Sequence, residues 1–189
     1  MDTGAESIVT MQPANQQAEG GLIPTSALHF RIIPWYVAKA FITEHHYLKG
    51  CPAQHKFGIG VFSSSEPFAP IIGALLWGMP NAANRLRDGW VTFELTRMVI
   101  LDCTTMNAES RALGWSARYI KKHYPEIKHL LAYSDVGGRG HTGTIYKAAG
   151  WNMDARTLAA NTDWNKHSGA ESHKGRGSGT EKLRWRKTL

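Results

Sequence analysis

The sequence predicts an α/β domain built on one mixed sheet with helices on both faces. Three observations predict it. Apolar runs of strand character alternate with stretches of helical period in the order β, α, β, β, β, α, β, α, β. A glycine-rich turn follows a strand that ends in Ser134-Asp135, and open α/β sheets gather ligands at the carboxyl ends of their strands. The length of 189 residues and the 42% hydrophobic content fit one domain with tails.

Residues 1–24 read as a flexible tail, because Gln12, Gln16, Gln17, Gly20 and Gly21 offer little to bury. The domain is placed at 25–189. A short strand runs from Leu28 to Ile33. Pro34 suits the first position of a helix, and Trp35, Ala38, Phe41 and Ile42 repeat at helical spacing through His45. Lys56–Phe62 and Ile71–Trp77 read as strands of a hairpin around the turn Ser63–Pro70. Met79–Asp88 is polar and loop-like. Trp90–Leu101 is the longest strand-type run. A helix from Asn107 to His123 buries a side drawn from Leu113, Trp115, Ala117, Ile120 and Tyr124. Lys128–Ser134 is the next strand. Gly137, Gly138 and Gly140 then allow positive φ. Thr142 or Thr144 caps a short helix, Gly143–Ala149, which Gly150 closes. Residues 152–180 are poor in apolar side chains and read as a loop, and Leu183–Leu189 returns as a final strand.

Composition narrows the function. The formal charge is +7 and the pI about 9.5, a balance that favours a polyanionic partner. An ordinary basic protein is an equal reading. No apolar run spans a bilayer, and Met1-Asp2 does not open a signal peptide. Two cysteines, Cys51 and Cys103, make no disulfide framework, so both are expected reduced and the protein cytoplasmic.

The candidate chemistry lies in polar residues set against this pattern. His46 and Tyr47 follow the first helix, where a histidine either shuttles protons or merely answers the helix dipole. His45 takes the second reading. Glu94 and Arg97 sit in an apolar strand, where charge requires a partner. The Arg97 fork could hold Asp135 or a ligand phosphate, or form a structural ion pair. Glu94 could serve as a base. Asp135 at a strand end could act as base, orient a nucleophile, bind metal or cap a turn. Tyr146 lies on the short helix.

The run Ala132–Trp151, AYSDVGGRGHTGTIYKAAGW, carries a resemblance. Its strand, helix tyrosine and Gly150-Trp151 step resemble the last third of a GNAT-type acetyltransferase. Its wording resembles the Mom family of bacteriophage DNA modification proteins, diverged members of that superfamily. The resemblance covers roughly residues 28–189 and implies a GNAT-like, mostly antiparallel twisted sheet. It also implies an enzyme that converts adenine in double-stranded DNA to an N6-carbamoylmethyl derivative, protecting the DNA from restriction. It gives His46, Tyr47, Arg97, Asp135 and Tyr146 as catalytic residues. Ser134, His141 and Thr142 are candidates for holding cofactor or donor. The superfamily implies acetyl-CoA. The Q/R-x-x-G-x-G/A loop that would hold its pyrophosphate is replaced by Cys103–Ser110, with no glycine between Gly89 and Gly114. Iron is considered because His46, Asp135 and Tyr146 are ligand types.

Double-stranded DNA and a small-molecule group donor are the expected partners. Lys166, Lys174, Arg176, Lys182, Arg184, Arg186 and Lys187 form a basic surface, with Trp151, Trp164 and Trp185 available to stack on bases. The other reading of those tryptophans is core packing. Two further functions remain: an acetyl-CoA-dependent N-acetyltransferase acting on an amine, and a DNA-binding module without catalysis.

Overall fold

The computed structural model describes residues 21–51, 55–80, 91–157 and 181–189. The elements are β1 (His29–Ile33), α1 (Trp35–His45), β2 (Phe57–Phe62), β3 (Ile71–Gly78), β4 (Thr92–Ile100), α2 (Ala108–His123), β5 (His129–Asp135), α3 (Val136–Arg139), α4 (Thr144–Ala148), β6 (Asn152–Thr157) and β7 (Lys182–Thr188). The described strands form one seven-stranded sheet in the order β1-β2-β3-β4-β5-β7-β6. Neighbouring strands are antiparallel except β4 and β5, which run parallel. The fold is GNAT-like, as the resemblance implies.

Strand period separates two cores. On β3, Ala74 and Leu76 pack with Ala38 and Ile42 of α1. Leu75 and Trp77 join the larger core on the other face, with Leu113, Ala117 and Ile120 of α2. Pro34 is the N-cap of α1 and not its first residue, and its fixed φ of −55° sets the entry to Trp35. α1 lies close to the sheet because Gly58 faces it. A Cβ on Gly58 would come within 2.6 Å of Ala38 Cβ. Trp35, expected on the buried face, is exposed; it stacks on His55 with Lys39 above its ring. α2 buries small residues at helical spacing, Ala108, Ala112, Ser116 and Ala117, and Ser116 donates to the Ala112 carbonyl. Trp115 is only partly buried at the edge of this core.

The C-terminal region departs most from the expected order. Residues 152–157 are a strand, not a loop, and β7 lies between β5 and β6. Trp151 and Trp185 are 3% and 1% exposed and belong to the core, so neither is available to stack on a base. The expected basic surface is reduced on β7. Arg184 pairs with Asp154, and Lys187 donates to the carbonyls of Ala149 and Gly150 at the end of α4. Arg156 on β6 pairs with Glu181. Lys166, Lys174, Arg176 and Trp164 lie outside the described residues, as do the tail 1–20 and most of the loop 79–88.

The glycine turn is also built differently. Gly137 and Gly138 fall within the short helix α3, and positive φ occurs at Gly140, Gly143 and Gly150. The N-cap of α4 is Gly143 at φ 79°, with no side-chain cap from Thr142 or Thr144, whose hydroxyls lie 3.2 Å apart.

Candidate functional site

The site begins where two strands part. β4 and β5 are in register only through Thr92–His129, Phe93–Leu130 and Glu94–Leu131. Beyond these pairs a cavity of about 620 Å³ opens between Leu95–Ile100 on one strand and Tyr133–Asp135 on the other. A bulge shapes the β4 side. Leu76 of β3 faces Arg97 and Trp77 faces Leu95, so Thr96 is an extra residue. Bulges redirect neighbouring side chains. Thr96 Oγ1 donates to the Leu76 carbonyl at 3.0 Å. Arg97 borders the cavity; Glu94 is buried and does not border it, which removes it as a candidate base there.

The Arg97 guanidinium donates to the carbonyls of Gly50 at 3.1 Å and Thr96 at 2.6 Å. It thereby ties the turn after α1 to the central strand. That turn carries His46, whose Nδ1 accepts from the Leu48 amide at 3.1 Å. An accepting Nδ1 puts the proton of the neutral ring on Nε2. The His46 ring stacks on Tyr47 with centroids 4.3 Å apart, and Tyr47 is 39% exposed at the cavity. Cys51, half-buried behind this turn, has its thiol pushed up by burial, opposed by the charges of Arg97 and Lys39 and by a hydrogen bond with Thr43.

The other side is built on β5. Asp135 is its last residue, and the Asp135 carbonyl accepts from the His141 amide at 3.0 Å. The chain thus leaves through α3, reverses at Gly140 and returns His141 to the strand end, 6.4 Å in ring-centroid distance from Tyr47. Ser134 Oγ accepts from Trp185 Nε1 at 2.9 Å, which satisfies the buried indole. Tyr146 packs between Trp151 and Trp185, both at 5.6 Å. Burial first, and Tyr47 second, push its phenol well above the ordinary tyrosine range.

His46, Tyr47, Arg97, Ser134, Asp135, His141, Thr142 and Tyr146 all border this one cavity. His45 and Glu109, outside the expected set, border it as well. His45, read from sequence as a dipole histidine, lines it beside His46. Glu109, within the Cys103–Ser110 stretch that replaces the expected phosphate loop, lines it from the first turn of α2. Its signal was its place two residues into the helix that follows the central strand.

The donor set does not suit iron. Among the described residues no three of His, Cys, Asp and Glu converge on one point. His46 Nδ1 is engaged by a backbone amide, and burial of the Tyr146 phenol opposes the deprotonation that a metal ligand requires. No described helix is long and apolar enough to cross a membrane.

Solved structures share this architecture. The IAA acetyltransferase from Bacillus cereus superposes with a TM-score of 0.55 at 11% identity, covering 86% of this chain and 99% of that one. Arabidopsis thaliana NAA60 in complex with acetyl-CoA gives 0.59 at 8% identity, over 86% and 99%. A GNAT family acetyltransferase from Elizabethkingia anophelis with acetyl-CoA bound gives 0.51 at 12%, over 86% and 99%. In sequence, the methylcarbamoylase Mom of Escherichia phage Mu is 26% identical over 156 residues, spanning 78% of this chain and 63% of that protein. The model of the Mom protein family matches residues 27–188.

Proposed function

Since the chain belongs to the Mom protein family, we propose that it is a phage DNA modification transferase that places an N6-carbamoylmethyl group on adenine in double-stranded DNA. The reading is carried by one observation: eight residues scattered from His46 to Tyr146 border a single cavity at the parting of β4 and β5. The phage Mu relative is a methylcarbamoylase, which supports the chemistry. The product would shield phage DNA from restriction in the host cytoplasm.

Adenine N6 is paired inside the duplex, so the base flips out to reach the cavity. Tyr47, half-exposed at the rim, offers a ring for it to stack on. As the new bond to N6 forms, N6 releases a proton and the donor's leaving group departs with its electron pair. Asp135 takes the proton. His46, with its proton on Nε2, and Tyr146, held protonated, are hydrogen-bond donors to the developing negative charge. Arg97 is a positioning residue, fixing the His46–Tyr47 turn against β4. Ser134, His141 and Thr142 hold the donor.

The test is mass spectrometry of nucleosides from plasmid grown with the protein or with Asp135→Asn. A deoxyadenosine heavier by one carbamoylmethyl group, absent with the variant, is the expected result. Unmodified adenine alongside soluble wild-type protein, together with thiol release from acetyl-CoA on adding an amine, would sink it in favour of an N-acetyltransferase.

A further inference from the structure

We propose that the cleft takes a group donor without a diphosphate arm, and that Glu109 and the segment 22–27 enforce this choice. The proposal rests on the reading of the cleft as a group-transfer site. The GNAT-like fold implies coenzyme A, whose diphosphate would be held by backbone amides at the turn between β4 and α2. Here that turn, residues 101–107, is occupied by the chain itself.

Ile23 forms a parallel bridge with Thr104, its amide donating to the Cys103 carbonyl at 2.8 Å. The Thr105 amide, one of the donors a phosphate would use, goes to the Ile23 carbonyl at 2.9 Å. The Thr25 amide donates to Thr105 Oγ1 at 2.9 Å, and its hydroxyl donates to the Met106 carbonyl at 2.8 Å. Arg111, a cation near the start of α2, is turned to the Ser26 carbonyl. The turn closes through Asn107 in the left-handed region, φ 74°. One amide of the turn, that of Thr105, and the local cation, Arg111, are thus committed to Ile23 and Ser26.

Charge completes the exclusion. A helix N-terminus attracts an anion. In α2 the half-buried carboxylate of Glu109, bordering the cavity from the first turn, supplies that negative charge. A diphosphate brought beside it meets like charge in a partly desolvated cleft, where repulsion is poorly screened. A neutral or cationic donor meets attraction at the same place.

The experiment is calorimetric titration of the full chain with acetyl-CoA and with acetyl-pantetheine, the same thioester without the diphosphate. The expected affinities agree within about threefold. In Glu109→Gln, with one opposing charge removed, acetyl-CoA gains about fivefold relative to acetyl-pantetheine. Acetyl-CoA binding to the wild type about thirtyfold tighter than acetyl-pantetheine would overturn the proposal. Because binding is read without turnover, a lost DNA product and a lost donor preference are told apart.

Discussion

Along the β4 wall of the cleft, the functional groups stand on the strand and the turn beside it: Arg97 of β4 is bonded to the Gly50 and Thr96 carbonyls, buried His46 accepts from the Leu48 amide, and Tyr47 faces solvent. Along the β5 wall, Ser134 and Tyr146 are buried against Trp151 and Trp185, and Gly143 lies under the Trp185 ring. The first wall is held by a few polar ties, the second by packing. Damage to the first should therefore cost activity, and damage to the second should cost the fold.

Gly143→Ala tests the packed wall hardest. An added Cβ would lie 2.1 Å from Trp185 Cζ2, at a φ of 79° that alanine resists. A loss of about 4 kcal/mol or more is expected, seen as insoluble protein or a collapsed urea midpoint. Trp185→Phe removes ring volume and the bond to Ser134. It should cost about 2–3 kcal/mol in urea unfolding. Ser134→Ala leaves the indole N–H buried without an acceptor and should cost about 1–2 kcal/mol. A cost near zero for both would mean that this wall is not held by packing.

Alkaline titration separates the walls without cutting away bulk. The folded Tyr146 phenol has its pKa raised above the ordinary value near 10. Below pH 10 both states keep the proton and stability is level with respect to this group. Above pH 10 the unfolded chain ionises first, so stability falls by up to about 1.4 kcal/mol per pH unit for this group, until its folded pKa is passed. Tyr146→Phe should flatten part of that fall. Tyr124, also raised by burial, retains a share. An identical alkaline slope in the variant would break the assignment.

The smallest stability effects belong to the polar wall. Arg97→Lys cannot span both carbonyls and should lose about 1 kcal/mol. Tyr47→Phe should change stability by less than about 0.5 kcal/mol. Both should lower the yield of modified adenine at least about tenfold by nucleoside mass spectrometry. If their yields hold while Trp185→Phe protein loses activity without losing stability, the comparison is inverted.

The sequence made one wall more legible than the other. His46, Tyr47 and Arg97 stand out as polar residues in apolar surroundings, and the strand-end position of Asp135 follows from the glycines after it. The packed wall was misread because its signals were ambiguous. Tryptophan beside lysine and arginine suits a nucleic-acid surface and a sheet core equally, and only the position of β7 between β5 and β6 places Trp185 inside. β6, Asn152–Thr157, is an exposed edge strand whose alternation rests on only two apolar residues, Met153 and Ala155, too short a signal to mark a strand. Gly143 went unread as a cap because Thr142 and Thr144 flank it with ordinary capping side chains. The parting of β4 and β5, which makes the cavity, is a property of sheet register and leaves no trace in composition.

The place of β7 has a consequence for the order of events during synthesis. β5 and β6 are made before the strand that joins them, and neither can pair across the gap until Lys182–Thr188 arrives between them. Until then β5 presents an unpaired edge, and the ring beneath Gly143 is missing. Exposed strand edges invite association with other chains. A ribosome-bound chain that has emerged only through residue 157 thus carries every side chain that lines the cleft but lacks the strand that backs its β5 wall. The packed backing of the site comes last in synthesis, with the strand that supplies Trp185.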